Sequence, residues 1–275
     1  NFLFNLLAQH PSCHGHGPIW EDHVIQYSGI LQHYVEALYG HWNPSWEVEK
    51  KLGGPKLLFN YLGSAVEEFL KLQLNENTTQ GILPSNSSPE CEMSKILLTK
   101  TPNVEGVDKF FDLFPNALLI LLVRDGRAVV ESGVKSFDWD YEEASKRWCN
   151  RAQAILDFKD RNESSNQNFM VIKYEDLVLN QKDSLSEIFD FLGLDSNSYK
   201  YEKAESLGVI GSSECRKEEG SVHWKEMEKS DDFDPLARFS NWSIGKHARF
   251  NWIAGEQMKR LGYELSHVED RKRLC

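Results

Sequence analysis

An α/β fold, in which helices flank both faces of a parallel β-sheet, is the class this sequence predicts. Ala117 to Val123 is an unbroken apolar run. A strand with one wet face would alternate, so an unbroken run suits a sheet covered on both sides. "KILLT" (Lys95 to Thr99) and "FMVIKY" (Phe169 to Tyr174) are shorter runs of the same kind. Between and after them, apolar residues recur at steps of three and four, which is helical spacing. Strands that alternate with helices in this way build parallel sheets.

Taken in order, the apolar spacing predicts helices at Phe2 to Gln9, around Trp20 to Leu38, and at Leu57 to Leu74. Asn75 to Glu92 is polar and carries Pro84 and Pro89, which predicts a long surface loop. "KILLT" reads as a short buried strand, and "VEGVDKFFDLF" as a helix stopped by Pro115. Ala117 to Val123 is the central strand, and "GRAVVESGVKSF" opens the next helix. Tyr141, Ala144, Trp148, Ala152 and Ile155 form the apolar stripe of a surface helix. "FMVIKY" is a third buried strand. Leu185, Ile188, Phe189 and Leu192 mark a helix ended by Gly193, and Ile244 to Leu261 forms the last helix. No internal repeat is visible, and the 275 residues read as one domain, 1–275.

Composition narrows the function. A net charge of −11 argues against a broad basic surface for nucleic acid, while leaving room for a small basic pocket. The longest apolar run falls far short of the ~20 residues that cross a bilayer. The chain opens on "NFLFNLLAQHP", which reads as the inside of a helix. An N-terminal truncation is therefore expected, and any membrane link would run through a missing upstream anchor. The cysteines (Cys13, Cys91, Cys149, Cys215, Cys275) form no CxxC pair, so zinc is not expected and disulfides stay open. Sequons at Asn77, Asn86, Asn162 and Asn241 exceed chance and hint at a glycoprotein of the secretory pathway.

The strand ends carry the chemistry. In open parallel sheets, ligands bind beyond the carboxyl ends of the strands, where helix N-termini also point. Arg124 stands at such an end, Gly126 lets the backbone turn sharply, and Ser132 follows about two helical turns on. A guanidinium and a hydroxyl so placed can hold a phosphate. The alternative is that Arg124 caps carbonyls and pairs with Asp125 or another acid. "KILLTKTP" adds Lys100 past a second strand, and "FMVIKYEDL" adds Tyr174 at a third. Lys, Arg and Tyr delivered to one edge of one sheet favour an anionic nucleotide.

"LFPNALLILLVRDGRAVVESGV" and "VIKYEDLVLNQKDSLSEIFDFLGL" together resemble the sulfotransferase family. The first is similar to its 3′-phosphate-binding strand-loop-helix and the second to its Tyr-Glu-Asp-Leu segment. "LFNLLAQHP" resembles the helix after the family's phosphosulfate loop, and "IAGEQMKRLGYE" its C-terminal helix. Gly126 and "TKTP" place the local pattern nearer to tyrosylprotein, Golgi-type and related bacterial members. The family's Arg-Ser-Gly-Thr-Thr-like loop belongs immediately before "FLFNLLAQHP", so it is expected upstream of Asn1.

That resemblance implies a P-loop-type α/β fold and a donor, 3′-phosphoadenosine 5′-phosphosulfate, without a metal. The product would be 3′,5′-adenosine bisphosphate. Arg124 and Ser132 would hold the 3′-phosphate. Lys100 would steady the transferring sulfate or leaving group, against the alternative of a solvated lysine. Tyr174 would pack on the nucleotide or serve as a core tyrosine, and Arg238 would supply a basic residue from a late loop. The general base would be Glu21 first or His16 second. The clustered His10, His14, His16 and His23 also raise a metal site, but no accompanying spacing supports zinc. The acceptor stays open among glycan, tyrosyl peptide and small alcohol; its pocket is expected within Cys13 to Leu74 and Leu207 to Phe239, whose aromatic residues line a site or pack as core. A homodimer also stays open, as does the choice between Golgi lumen and cytoplasm. The rivals are a P-loop kinase, whose magnesium-holding acid would be Asp125, and a catalytically inactive binding module.

Overall fold

The computed structural model describes residues 1–15, 19, 21–74, 96–164, 168–205, 207, 234–236 and 238–265. It divides into an N-terminal unit, Phe4–Leu118 with Asn197–Lys200, and a C-terminal unit, Asn1–Leu3, Leu119–Ser196 and Tyr201–Cys275. The expected loop at 75–92 lies outside the described residues.

Helix α1 (Phe2–Leu7) leads into the N-terminal unit. There β1 (Cys13–His14) pairs in parallel with β2 (Ile96–Leu97). Helices α2 (Ser28–His41), α3 (Val48–Leu52), α4 (Pro55–Lys71) and α5 (Phe110–Leu113) complete it. Pro55 opens α4, where its fixed φ suits a first turn and its missing N–H costs nothing. Ile25, Val35, Phe59, Leu113 and Phe114 form the buried core. A Cβ on Gly63 would lie 2.1 Å from the Leu113 carbonyl oxygen, so only glycine lets α4 approach the α5 backbone this closely.

In the C-terminal unit, β3 (Leu119–Val123) pairs in parallel with β4 (Phe169–Lys173), Leu119 opposite Phe169 and Val123 opposite Lys173. The remaining elements are α6 (Gly126–Phe137), α7 (Tyr141–Asn162), α8 (Tyr174–Leu179), α9 (Gln181–Leu192), α10 (Tyr201–Glu205) and α11 (Ile244–Arg260). Asp140 caps α7 by accepting from the amides of Glu142 and Glu143, and Ser243 caps α11 by accepting from that of Lys246. Gly193 ends α9 at φ +67, the left-handed conformation that glycine adopts without strain. Val130, Trp148, Trp242, Phe250, Ala254 and Met258 bury the seam of α6, α7 and α11. Sealing away a side chain the size of Phe250 or Met258 contributes about 2 kcal/mol.

Parallel pairing and helical cover agree with the α/β class, but several local expectations need correcting. Among the described residues β2 pairs with β1, while β3 pairs with β4. The ladder at the β3 end therefore carries Arg124 and Tyr174, and Lys100 follows a separate ladder. The strands are not sealed on both faces: Leu122 is 37% exposed between buried Leu121 and Val123. Tyr174 begins α8 instead of ending β4. The helix expected from Trp20 starts at Ser28, after a 3-10 turn at Ile25–Tyr27. Over Val104 to Phe114, regular helix is confined to a 3-10 turn and the four residues of α5.

Gly126 also has a different role from the one expected. Its φ is not positive, and Asp125 makes the turn as the N-cap at φ −47, ψ 121. What Gly126 provides is closeness. A Cβ there would sit 2.6 Å from both the Phe250 and the Trp148 ring.

Candidate active site

The turn from β3 into α6 is braced by a buried ion pair. Arg127 donates from its amide to Asp125 Oδ1 at 2.8 Å, and its guanidinium grips both carboxylate oxygens, with Nη2 2.6 Å from Oδ2. Nη2 also donates to the Glu264 carbonyl at 3.0 Å, and the guanidinium lies 4.3 Å from the centre of the Phe239 ring. Of the two arginines in "RDGR", Arg127 is thus internal framework. Glu175, at the start of α8, accepts from the Asp125 amide at 2.9 Å and from the Tyr263 hydroxyl at 2.8 Å, tying the ends of β3 and β4 together. Burial, and then the Glu175 charge, push the Tyr263 hydroxyl far above its ordinary pKa.

Arg124 faces otherwise. Its Nη2 donates to the Pro235 carbonyl at 2.5 Å, so the carbonyl-capping alternative accounts for one of its nitrogens. The Tyr174 ring lies under the guanidinium, 4.4 Å from its carbon, and Phe2 meets that ring edge-on. Arg124 Nε is buried and has no hydrogen-bond partner. Nearby, buried Arg238 donates from Nη1 to Ser132 Oγ at 3.1 Å. Burial holds the Arg124 guanidinium below its ordinary pKa. The Arg238 charge acts in the same direction, against Tyr174, Glu175 and Asp125.

This arrangement suits an anion. Two cations brought close together away from water are costly unless an opposite charge joins them. An unpartnered N–H on one, a hydroxyl held by the other and a flat aromatic support match the forked geometry by which arginine takes phosphate. The segment bearing Arg238 is itself anchored. Trp242 Nε1 donates to Glu131 Oε2 at 2.6 Å, and Lys246 Nζ donates to the same oxygen at 3.0 Å. Sequence reasoning missed Asp125 as a brace, Arg127, Glu131, Glu175, Trp242 and Tyr263. The partners of Glu131, Glu175, Trp242 and Tyr263 lie too far along the chain for local spacing to show, and spacing does not say that Asp125 and Arg127, two residues apart, pair with each other.

The N-terminal unit places the other predicted residues together. Lys100 Nζ stands 3.3 Å from Glu21 Oε1 and over the Phe4 ring at 5.6 Å. Asp22 stitches the two segments: its amide donates to the Lys100 carbonyl at 3.0 Å, and its carboxylate accepts from the Thr101 hydroxyl at 2.6 Å. His23 Nε2 lies 3.7 Å from Glu21 Oε2. His16 lies outside the described residues. Buried His10 is structural: its Nδ1 accepts from the Ser12 amide, and its ring stacks on Tyr199. Tyr39 packs on Trp42 and donates to the Gly53 carbonyl, whereas Tyr27, Tyr34 and Trp46 are exposed. Cys13 and Cys149 are free thiols; the other cysteines lie outside the described residues. Among the described residues, no helix is long and apolar enough to cross a membrane, and no cluster of three or more His, Cys, Asp or Glu is placed to hold a metal.

Comparison with known proteins gives this geometry a context. A protein-tyrosine sulfotransferase 2 from Gallus gallus is 23% identical over 237 residues, covering 84% of this chain and 60% of its own length. The chain therefore spans about 60% of that relative's length. A solved sulfotransferase domain from the curacin biosynthetic pathway superposes with a TM-score of 0.53 at 16% identity, over 96% of this chain and 93% of its own. That likeness shows a shared fold. The model of the Sulfotransferase family matches residues 1–198, and the chain belongs to that family.

Proposed function

We propose that the protein transfers a sulfuryl group from 3′-phosphoadenosine 5′-phosphosulfate to an acceptor hydroxyl or amine, working as a single sulfotransferase-like domain. The observation that carries this reading is the cluster of Arg124, Arg238 and Ser132 beside the Tyr174 ring, with Arg124 Nε left unpartnered. Arg124 and Arg238 hold the 3′-phosphate, Ser132 adds a hydroxyl, and Tyr174 keeps the Arg124 plane in place. The donor supplies an activated sulfuryl group on a good leaving phosphate.

Glu21 accepts the acceptor's proton, and Lys100 places positive charge where the leaving group becomes negative. Their 3.3 Å pairing supports the assignment, because it sets a carboxylate and an ammonium side by side. Transfer is in-line by analogy with phosphoryl transfer, so positioning and charge do most of the work. His16 stays the second choice as base. The relative's name supports a tyrosyl peptide among the acceptors, and the sequons support the secretory lumen, with the Golgi as the compartment of choice.

The kinase alternative is disfavoured by Asp125, whose two carboxylate oxygens are both engaged by Arg127. Calorimetry on the full-length protein tests the choice. Tighter binding of 3′,5′-adenosine bisphosphate than of ATP is expected, and the reverse order would overturn the proposal. An inactive binding module would take the bisphosphate yet transfer nothing to any acceptor offered.

A further inference from the structure

We propose that Glu131 is a positioning residue that docks the segment carrying Arg238, so that the second guanidinium of the phosphate site depends on a carboxylate that never touches the ligand. This rests on the reading of the Arg124 cluster as the 3′-phosphate site. Glu131 and Ser132 are neighbours on α6, and each takes hold of the same late segment. Glu131 Oε2 receives the indole N–H of Trp242 at 2.6 Å and the Lys246 ammonium at 3.0 Å, while Ser132 receives Arg238 at 3.1 Å.

The surroundings make this contact more than a surface ion pair. The Glu131 side chain is 14% exposed, and Trp242 is buried against Tyr141, Phe239 and Phe250. Lys246 lies over both the Trp242 and Tyr141 rings, at 4.5 and 4.7 Å, so it is held between aromatic faces and the carboxylate. Lys135 reaches the other oxygen, Oε1, at 3.3 Å. Burial pushes the Glu131 carboxyl up, but hydrogen bonds from Trp242 and Lys246 outweigh it and hold the group below its ordinary range. Removing the carboxylate leaves a buried indole N–H unsatisfied, and Trp242 lies only four residues from Arg238.

The test combines a ligand-free readout with a coupling measurement. In Glu131→Ala, backbone amides of 238–243 should exchange with solvent faster than in the wild type, without ligand present. Binding of 3′,5′-adenosine bisphosphate should weaken at least tenfold. In an Arg238→Ala background the same substitution should cost little further, because the arginine it positions is already gone. Glu131→Gln, which keeps an acceptor for the indole, should recover part of the loss. Should Glu131→Ala fail to fold, Trp242→Phe removes the indole N–H together with part of the ring and should loosen the same amides. Unchanged exchange in 238–243 would overturn the proposal, and so would an equal loss of affinity with and without Arg238. Absence of bisphosphate binding by the wild type would instead overturn the phosphate-site reading, while faster exchange would still mark Glu131 as the anchor.

Discussion

Arg238 donates to the hydroxyl of Ser132 across a separation of 106 residues, so a late segment completes what the first strand-loop-helix begins. The contact uses a lone pair of the hydroxyl and leaves its proton free to be donated. Ser132→Ala should therefore weaken binding of 3′,5′-adenosine bisphosphate by roughly tenfold, in line with loss of a hydrogen bond worth about 1.5 kcal/mol. Calorimetry would show this.

Glu21 and Lys100 should separate binding from chemistry. Glu21→Gln should reduce turnover by about a hundredfold or more, the usual contribution of a placed general base. Bisphosphate affinity should stay near the wild-type value. Transfer of labelled sulfate to a panel of glycan, tyrosyl-peptide and alcohol acceptors would measure the first, and calorimetry the second. Turnover near the wild-type value in Glu21→Gln would move the role of base to His16.

Gly126→Ala tests the packing beneath the site. The added methyl meets the Trp148 and Phe250 rings at 2.6 Å and has no room to relax without shifting α7 or α11. A loss of about 1–3 kcal/mol is expected from overpacking, read as a lowered denaturation midpoint with an unchanged slope.

Cys13 gives a pH-dependent signature. Burial pushes its thiol up to about 11. At pH 8 only about one molecule in a thousand would carry the thiolate, against roughly a quarter for an ordinary cysteine. Alkylation by iodoacetamide, followed peptide by peptide, should be slow at Cys13 and rise about tenfold per pH unit up to the pKa. Labelling at pH 8 at the rate of a free thiol would contradict that burial.

Local pattern made much of the fold legible. The apolar run at Ala117 to Val123 contains β3, and the helix expected to open at Gly126 does so as α6. Gly193 closes α9 as its position after Leu192 implies. What local pattern could not show were partnerships between distant residues. Nothing near Glu175 announces Tyr263, and nothing near Glu131 announces Trp242, because the pairs stand 88 and 111 positions apart. Within "RDGR", position alone does not tell the two arginines apart: the Asp125 carboxylate and the Phe239 ring claim Arg127, leaving Arg124 with an unpartnered nitrogen. Gly126 looked like a turn glycine, and only the approach of Trp148 and Phe250 revealed its role.

The most direct test of the phosphate site compares two ligands on two proteins. Wild-type and Arg124→Ala proteins are each titrated with 3′,5′-adenosine bisphosphate and with AMP, which lacks only the 3′-phosphate. The wild type should prefer the bisphosphate by about a hundredfold, and Arg124→Ala should lose roughly thirtyfold of that preference, about 2 kcal/mol, while binding AMP almost unchanged. Equal preference in the two proteins would mean that Arg124 does not hold the 3′-phosphate, and the account of the site would fail.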